Sequence, residues 1–94
     1  MFEIRRGANG EVLLSGRLDA SQTDKVREEL KNQNTSIEVS FEHLDYISSA
    51  GMGVLLGIQK RLSAQGHGLI LTHMNRHIRE LFTIAGFNHV FTIK

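Results

Sequence analysis

The residue types best suited to chemistry concentrate in one run, Asp45-Tyr46-Ile47-Ser48-Ser49-Ala50-Gly51-Met52-Gly53. It follows the alternating stretch Ile37, Val39, Phe41 and precedes the helical spacing Val54, Leu55, Ile58, Leu62, so it joins a strand to a helix start. There the first backbone N–H groups lack intrahelical acceptors, and the summed peptide dipoles favour negative charge. A serine in that place can cap the helix or carry a phosphate, and both roles are open to Ser48 and Ser49. Gly51 and Gly53 permit close approach of another backbone. They do not make a nucleotide loop, because the Walker lysine and the third glycine of a dinucleotide fingerprint are missing.

Other candidates are weaker. Asp19 stands just before the first helical pattern, where an aspartate serves as a cap or turn residue or as part of a site. Asp45 reads as a loop carboxylate. His73 and His77 have the i, i+4 spacing of a helical ligand pair, but the Glu of a His-Glu-x-x-His motif is absent and Asn75 between them reads as a helix cap. That leaves His73 outside the helix, and neither a metal nor a cofactor is expected. A small hydrolase or transferase built on Ser49, a histidine and an aspartate is a remote alternative, since no Gly-x-Ser-x-Gly elbow occurs. Met52, Met74, Phe82 and Phe87 read as packing residues, and Arg5, Arg6, Lys60 and Arg61 as solvated charges.

The elements that must position these residues can be read from glycine and Asx punctuation, since the chain has no proline. Phe2 to Arg6 and Glu11 to Ser15 flank Gly7-Ala8-Asn9-Gly10 and predict a hairpin. Ser21 to Asp24 has capping-box spacing and opens a first helix, roughly Ser21 to Asn32. Ile37, Val39 and Phe41 alternate with polar residues, which predicts a strand with one buried face. A polar second face is unusual for a central strand. The second helix stops at Gln65-Gly66-His67-Gly68, and Leu69-Ile70-Leu71 reads as a strand. Asn75 caps a third helix whose buried face is Ile78, Leu81, Phe82 and Ala85, with Gly86 at the C′ position and Phe87 behind it. His89 to Ile93 is a possible last strand. The order β-β-α-β-α-β-α with a possible final β calls for an α/β fold: a mixed, mostly parallel sheet of four to five strands with about three helices, residues 1–94 forming one domain.

Composition bounds the function. A chain of 94 residues holds one core, and 40% hydrophobic with 22% charged residues suits a globular domain. Eleven Lys+Arg against ten Asp+Glu leave a net charge of +1 with no basic run, which argues against nucleic-acid and membrane-surface partners. The lack of cysteine removes disulfides and thiolate catalysis. With no apolar run near the ~20 residues of a membrane span and no signal-peptide pattern at the N-terminus, a cytoplasmic location is expected.

Three blocks carry a family likeness. Asp45 to Leu55 resembles the phosphorylation segment of STAS domains, the anti-sigma factor antagonists of bacterial partner-switching systems. Gly16-Arg17-Leu18-Asp19-Ala20 resembles the family's Gly-x-Leu-Asp at the end of the second strand, and Ile78 to Phe87 its late helix and turn. The family's phosphorylated serine stands two residues before the glycine, which maps onto Ser49. Ser48 replaces the family's preceding aspartate and is the alternative position. The family's further C-terminal helix has no counterpart before Lys94. The resemblance implies a STAS fold, no enzymatic activity and a partner-binding surface of Asp19, Ser48, Ser49, Gly51 and Met52. It also implies an anti-sigma factor serine/threonine kinase as binding partner, released by phosphorylation, and a PP2C-type phosphatase. An alternative within the same fold is a scaffold subunit of a lipid-transport or chemotaxis-type assembly.

Overall fold

The computed structural model describes every residue from Met1 to Lys94. Five strands form one sheet in sequence order: β1 (Phe2–Arg6), β2 (Val12–Leu18), β3 (Ile37–Ile47), β4 (Leu69–Thr72) and β5 (Thr92–Ile93). Only β1 and β2 run antiparallel. Their hairpin closes at Gly7–Gly10, where Gly7 N–H donates to Glu11 O at 2.7 Å and Gly10 takes a left-handed φ of 81°. The helices α1 (Thr23–Leu30), α2 (Ser49–Ser63) and α3 (Arg76–Ile84) connect the parallel strands.

Strand order decides where the core lies. When consecutive parallel strands are neighbours and their crossovers share one hand, every helix falls on the same face of the sheet. The burial pattern agrees. Val12, Leu14, Leu18, Val39, Phe41, Leu69 and Leu71 point inward and join Val26, Leu30, Leu55, Leu62, Ile78 and Phe82 of the helices in one core of 19 buried residues. The opposite face holds Glu3, Arg5, Ser15, Arg17, Glu38 and Thr92 and is open to solvent. This accounts for the polar face of the central strand: β3 is covered on one side only.

The central strand is longer than its alternation suggests. It runs past Phe41 to Ile47, so Asp45 lies on a strand and not in a loop. Leu13 faces Ser40 but Ser15 faces His43, and Gly16 faces Leu44 but Arg17 faces Tyr46, so β3 carries one extra residue at each place. Such bulges break the period-two pattern and re-aim the side chains beyond them.

The first helix also starts differently. A 3-10 turn, Ala20–Gln22, precedes α1, and the Ser21 hydroxyl donates to Asp19 at 2.6 Å instead of capping the helix. An ionised carboxylate is a strong acceptor, and it stands two residues upstream within reach of the hydroxyl. At the other end, Arg61 of α2 donates to Leu30 O and Gln33 O, both at 2.8 Å, and closes the C-terminus of α1. Arg6 donates to the Glu29 carboxylate at 3.0 Å. Neither arginine is a merely solvated charge.

The third helix is capped as expected, with Asn75 Oδ1 accepting from Ile78 N–H at 2.8 Å and Gly86 in the left-handed region. Ala85, expected in its buried face, is exposed. Phe82 instead packs edge-on against Phe41, Phe87 and Phe91. Of the last segment, Phe87–His89 forms a 3-10 turn and only Thr92–Ile93 pairs with β4.

Leu55 is fully buried at the centre of α2's inner face. Leu55→Ala should lower stability by about 2–5 kcal/mol, as truncation of buried leucines does. Urea unfolding measures it, and an unchanged midpoint would place this face outside the core.

Candidate functional site

The carboxyl end of β2 and the start of α2 meet at one backbone hydrogen bond, from Ser48 N–H to Leu18 O at 2.9 Å. Asp19 follows Leu18 directly, so the bond brings the two sequence blocks together. Gly51 is buried against the same carbonyl: a Cβ there would sit 2.8 Å from Leu18 O and 2.9 Å from Ile47 Cγ1. Any side chain would force the helix off the strand. Gly53, by contrast, faces open space, so no close approach within the chain explains it.

The two serines are placed differently. Ser48 is extended (φ −89°, ψ 171°), its Oγ accepts from Gly51 N–H at 3.1 Å, and its carbonyl accepts from Met52 N–H at 2.9 Å. It is the N-cap and half-buried, with its side-chain oxygen and its backbone N–H and C=O all bonded. Ser49 is the first residue of α2, exposed, and its hydroxyl makes no hydrogen bond. By position its N–H and that of Ala50 are among those a helix start leaves without intrahelical acceptors. Capping thus falls on Ser48, and the exposed, unbonded hydroxyl belongs to its neighbour Ser49. Met52 is half-buried and packs on the core.

Asp19 caps the 3-10 turn, accepting from Ser21 N–H at 3.0 Å as well as from the hydroxyl. The Ser21 hydroxyl bond, then the N–H bond, hold its carboxyl below the usual carboxylate range against a small opposing effect of burial. The charges of Arg17 and the chain's amino terminus add to the lowering. Arg17 itself lies on the open face, its guanidinium 4.2 Å from the centre of the Tyr46 ring. Sequence reasoning attached no role to this pair, because it depends on the bulged register of β2 against β3.

The histidines lie elsewhere. His67 Nδ1 approaches Ser36 Oγ at 3.5 Å, and His89 lies beside Asn88. His73, at the end of β4, has a left-handed φ of 57°, while His77 is within α3. None bonds to Ser48 or Ser49, and nowhere do three or more His, Asp or Glu gather in metal-binding geometry. No helix is long and apolar enough to cross a membrane.

With the geometry in place, comparison with known proteins is specific. A family model described as Mlab, STAS domain, matches residues 2–93. A Bordetella bronchiseptica protein named as the anti-sigma factor antagonist BtrV is 32% identical over 84 residues, 85% of this chain and 72% of its own length. An anti-sigma-B factor antagonist of Bacillus subtilis is 27% identical over 95 aligned positions, 97% of this chain and 87% of its own. The structure of the Bacillus cell fate determinant SpoIIAA in its phosphorylated form has the same fold, with a TM-score of 0.71 at 23% identity over 100% of this chain and 91% of that one.

Two outcomes follow from the site's geometry. Ser48→Ala removes a cap and should cost about 0.5–2 kcal/mol, while Ser49→Ala should leave thermal unfolding unchanged. Equal effects would undo the division between the serines. Because the folded-state pKa of Asp19 is lowered, its contribution to stability is present above the unfolded-state pKa and is lost as pH falls through the folded one. Ser21→Ala should therefore raise the Asp19 titration midpoint, read from its carboxyl carbon by NMR.

Proposed function

The chain belongs to the STAS domain family, and on that premise we propose that it is an anti-sigma factor antagonist, docking on an anti-sigma factor serine kinase while Ser49 is unmodified and released when Ser49 is phosphorylated. It is a regulatory protein and not an enzyme, in keeping with relatives named as antagonists. The observation that carries the reading is the separation of the two serines: Ser48 is consumed by capping, and Ser49 stands exposed with a free hydroxyl at the start of α2.

The electrostatics suit a switch. A phosphate brings about −1.5 to −2 charges at pH 7, set against a net charge of +1 for the whole chain. Within the chain it meets the positive end of a helix and costs the fold little. At a docked surface it meets acidic groups and water-excluded space, where like charges are strongly unfavourable. Asp19, fixed one residue beyond the Leu18 carbonyl that holds Ser48, lies within the same surface and is a partner-binding residue in this reading, as are Ser48, Ser49 and Met52. Gly51 serves it from below by letting α2 lie close. A PP2C-type phosphatase would restore the docking form, and the cycle runs in the cytoplasm, where sigma factors act.

Incubated with its cognate anti-sigma factor serine kinase and ATP, the protein should gain one phosphate. Ser49→Ala should abolish it and Ser48→Ala should not; undiminished labelling of Ser49→Ala defeats the assignment. Ser49→Asp supplies part of the phosphate charge and should weaken binding to that kinase about tenfold, or about 1.4 kcal/mol, with Ser49→Ala near wild type. Calorimetric titration measures both.

A further inference from the structure

Arg17 is exposed, yet it takes part in no ion pair and no side-chain hydrogen bond. Its guanidinium is held at 4.2 Å over the half-buried Tyr46 ring. The stack arises from the second bulge of β3, which sets Tyr46 opposite Arg17 on the open face of the sheet. It lies where β2 gives way to Asp19 and β3 to Ser48, at the rim of the serine segment. A guanidinium stacked on a ring has given up much of its rotamer freedom but keeps its planar fork of donors, a form suited to a carboxylate. Ordering paid in advance is ordering not lost on docking.

We propose that Arg17, clamped on Tyr46, reads the charge of the docking partner by binding an aspartate or glutamate carboxylate of the anti-sigma factor kinase. The proposal rests on the docking reading of the serine segment and adds to it a residue that sets which partner is accepted. Asp19 complements Arg17. The surface then presents a fixed cation beside a fixed anion, each held by a neighbour in its own chain, and a partner must match both in order. A partner with the reverse order meets two like-charge contacts and is rejected.

The test uses the full chain and the purified cognate anti-sigma factor kinase, with association rates followed at low and high salt. Arg17→Glu should weaken binding by at least about tenfold, and Arg17→Gln by less while flattening the salt dependence of association. Tyr46→Phe keeps the stack and should bind as wild type, whereas Tyr46→Leu frees the arginine and should lose part of the affinity. Arg5→Glu, on the same face but ~13 Å along the strand direction at 3.3 Å per residue, should bind as wild type. Thermal melts of each variant confirm that the fold is kept. If the Arg17 variants bind normally while Ser49→Asp does not, the charge-reading role is overturned and the serine reading stands. If Ser49→Asp also binds normally, both are overturned. Equal loss in Arg5→Glu points to the general field and overturns the specific contact. So does an Arg17 variant that alters only the melting of the phosphorylated protein, since the guanidinium would then serve the chain's own phosphate.

Discussion

The site depends on how closely α2 can approach the end of β2. Leu18 offers one carbonyl, and Ser48 N–H takes it at 2.9 Å. Helix α2 then passes so near that Gly51 has no room for a Cβ, with Leu18 O and Ile47 Cγ1 both inside 3.0 Å of where it would lie. Everything at the helix start follows from that contact. Ser48 must be extended to reach Leu18, which turns its hydroxyl back to Gly51 N–H; Ser49 is then the first residue free of the strand and projects into solvent. Asp19, next after Leu18, is carried to the same place. One missing methyl group therefore sets the relation among three polar residues from two distant parts of the chain.

The sheet supplies the rigid base for this contact while remaining one-sided. Parallel strands are commonly covered on both faces, because their crossover helices alternate sides. Here the strands follow one another in space as in sequence, and all helices share a face. The open face is tolerable because most of its side chains are polar or charged, with Leu13 and Ile70 half-buried among them, and because β3, the central strand, places Glu38 and the buried Ser40 there, with Thr72 Oγ1 donating to Glu38 at 2.8 Å. The same openness leaves the Arg17 and Tyr46 pair at the surface instead of beneath a helix.

Much of this was legible in the residues. The turns announced themselves through Asn9-Gly10 and Gly86, both glycines adopting positive φ. Asn75 was readable as a cap because its spacing to Ile78 is local. The misreadings were equally physical. Alternation ends at Phe41 because two bulges intervene, and no periodicity can see an extra residue set against a partner strand. The spacing Ser21 to Asp24 satisfied a capping rule, but Asp19, two residues upstream, offered a charged acceptor and captured the serine. Arg61 reads from the sequence as a surface charge since its acceptors, Leu30 O and Gln33 O, are 31 and 28 residues away. Local patterns found the capping and turn residues; contacts made across register or between helices were out of their reach. Position alone left Ser48 and Ser49 equivalent, and only the direction in which the chain leaves β3 separates them.

Magnitudes show why such a surface can switch without refolding. To carry a bound population from 99:1 to 1:99 requires a change in affinity of about 10⁴-fold, or about 5.5 kcal/mol. A phosphate at an exposed helix start perturbs the fold itself by about 0.3–1 kcal/mol, and favourably. That is too small to rearrange a core of 19 buried residues. Under the proposed switch the larger effect therefore arises at the contact with the partner, where desolvation and like-charge repulsion act together on a group of about −1.5 to −2 charges. In the proposed cycle the chain behaves as a rigid presenter of a modifiable surface. The features that secure its rigidity, the Ser48 cap and the Gly51 approach, are kept apart from the hydroxyl that changes. Ser48, by contrast, is half-buried with its oxygen already bonded to Gly51 N–H, so the geometry favours the neighbouring serine on the ground of access.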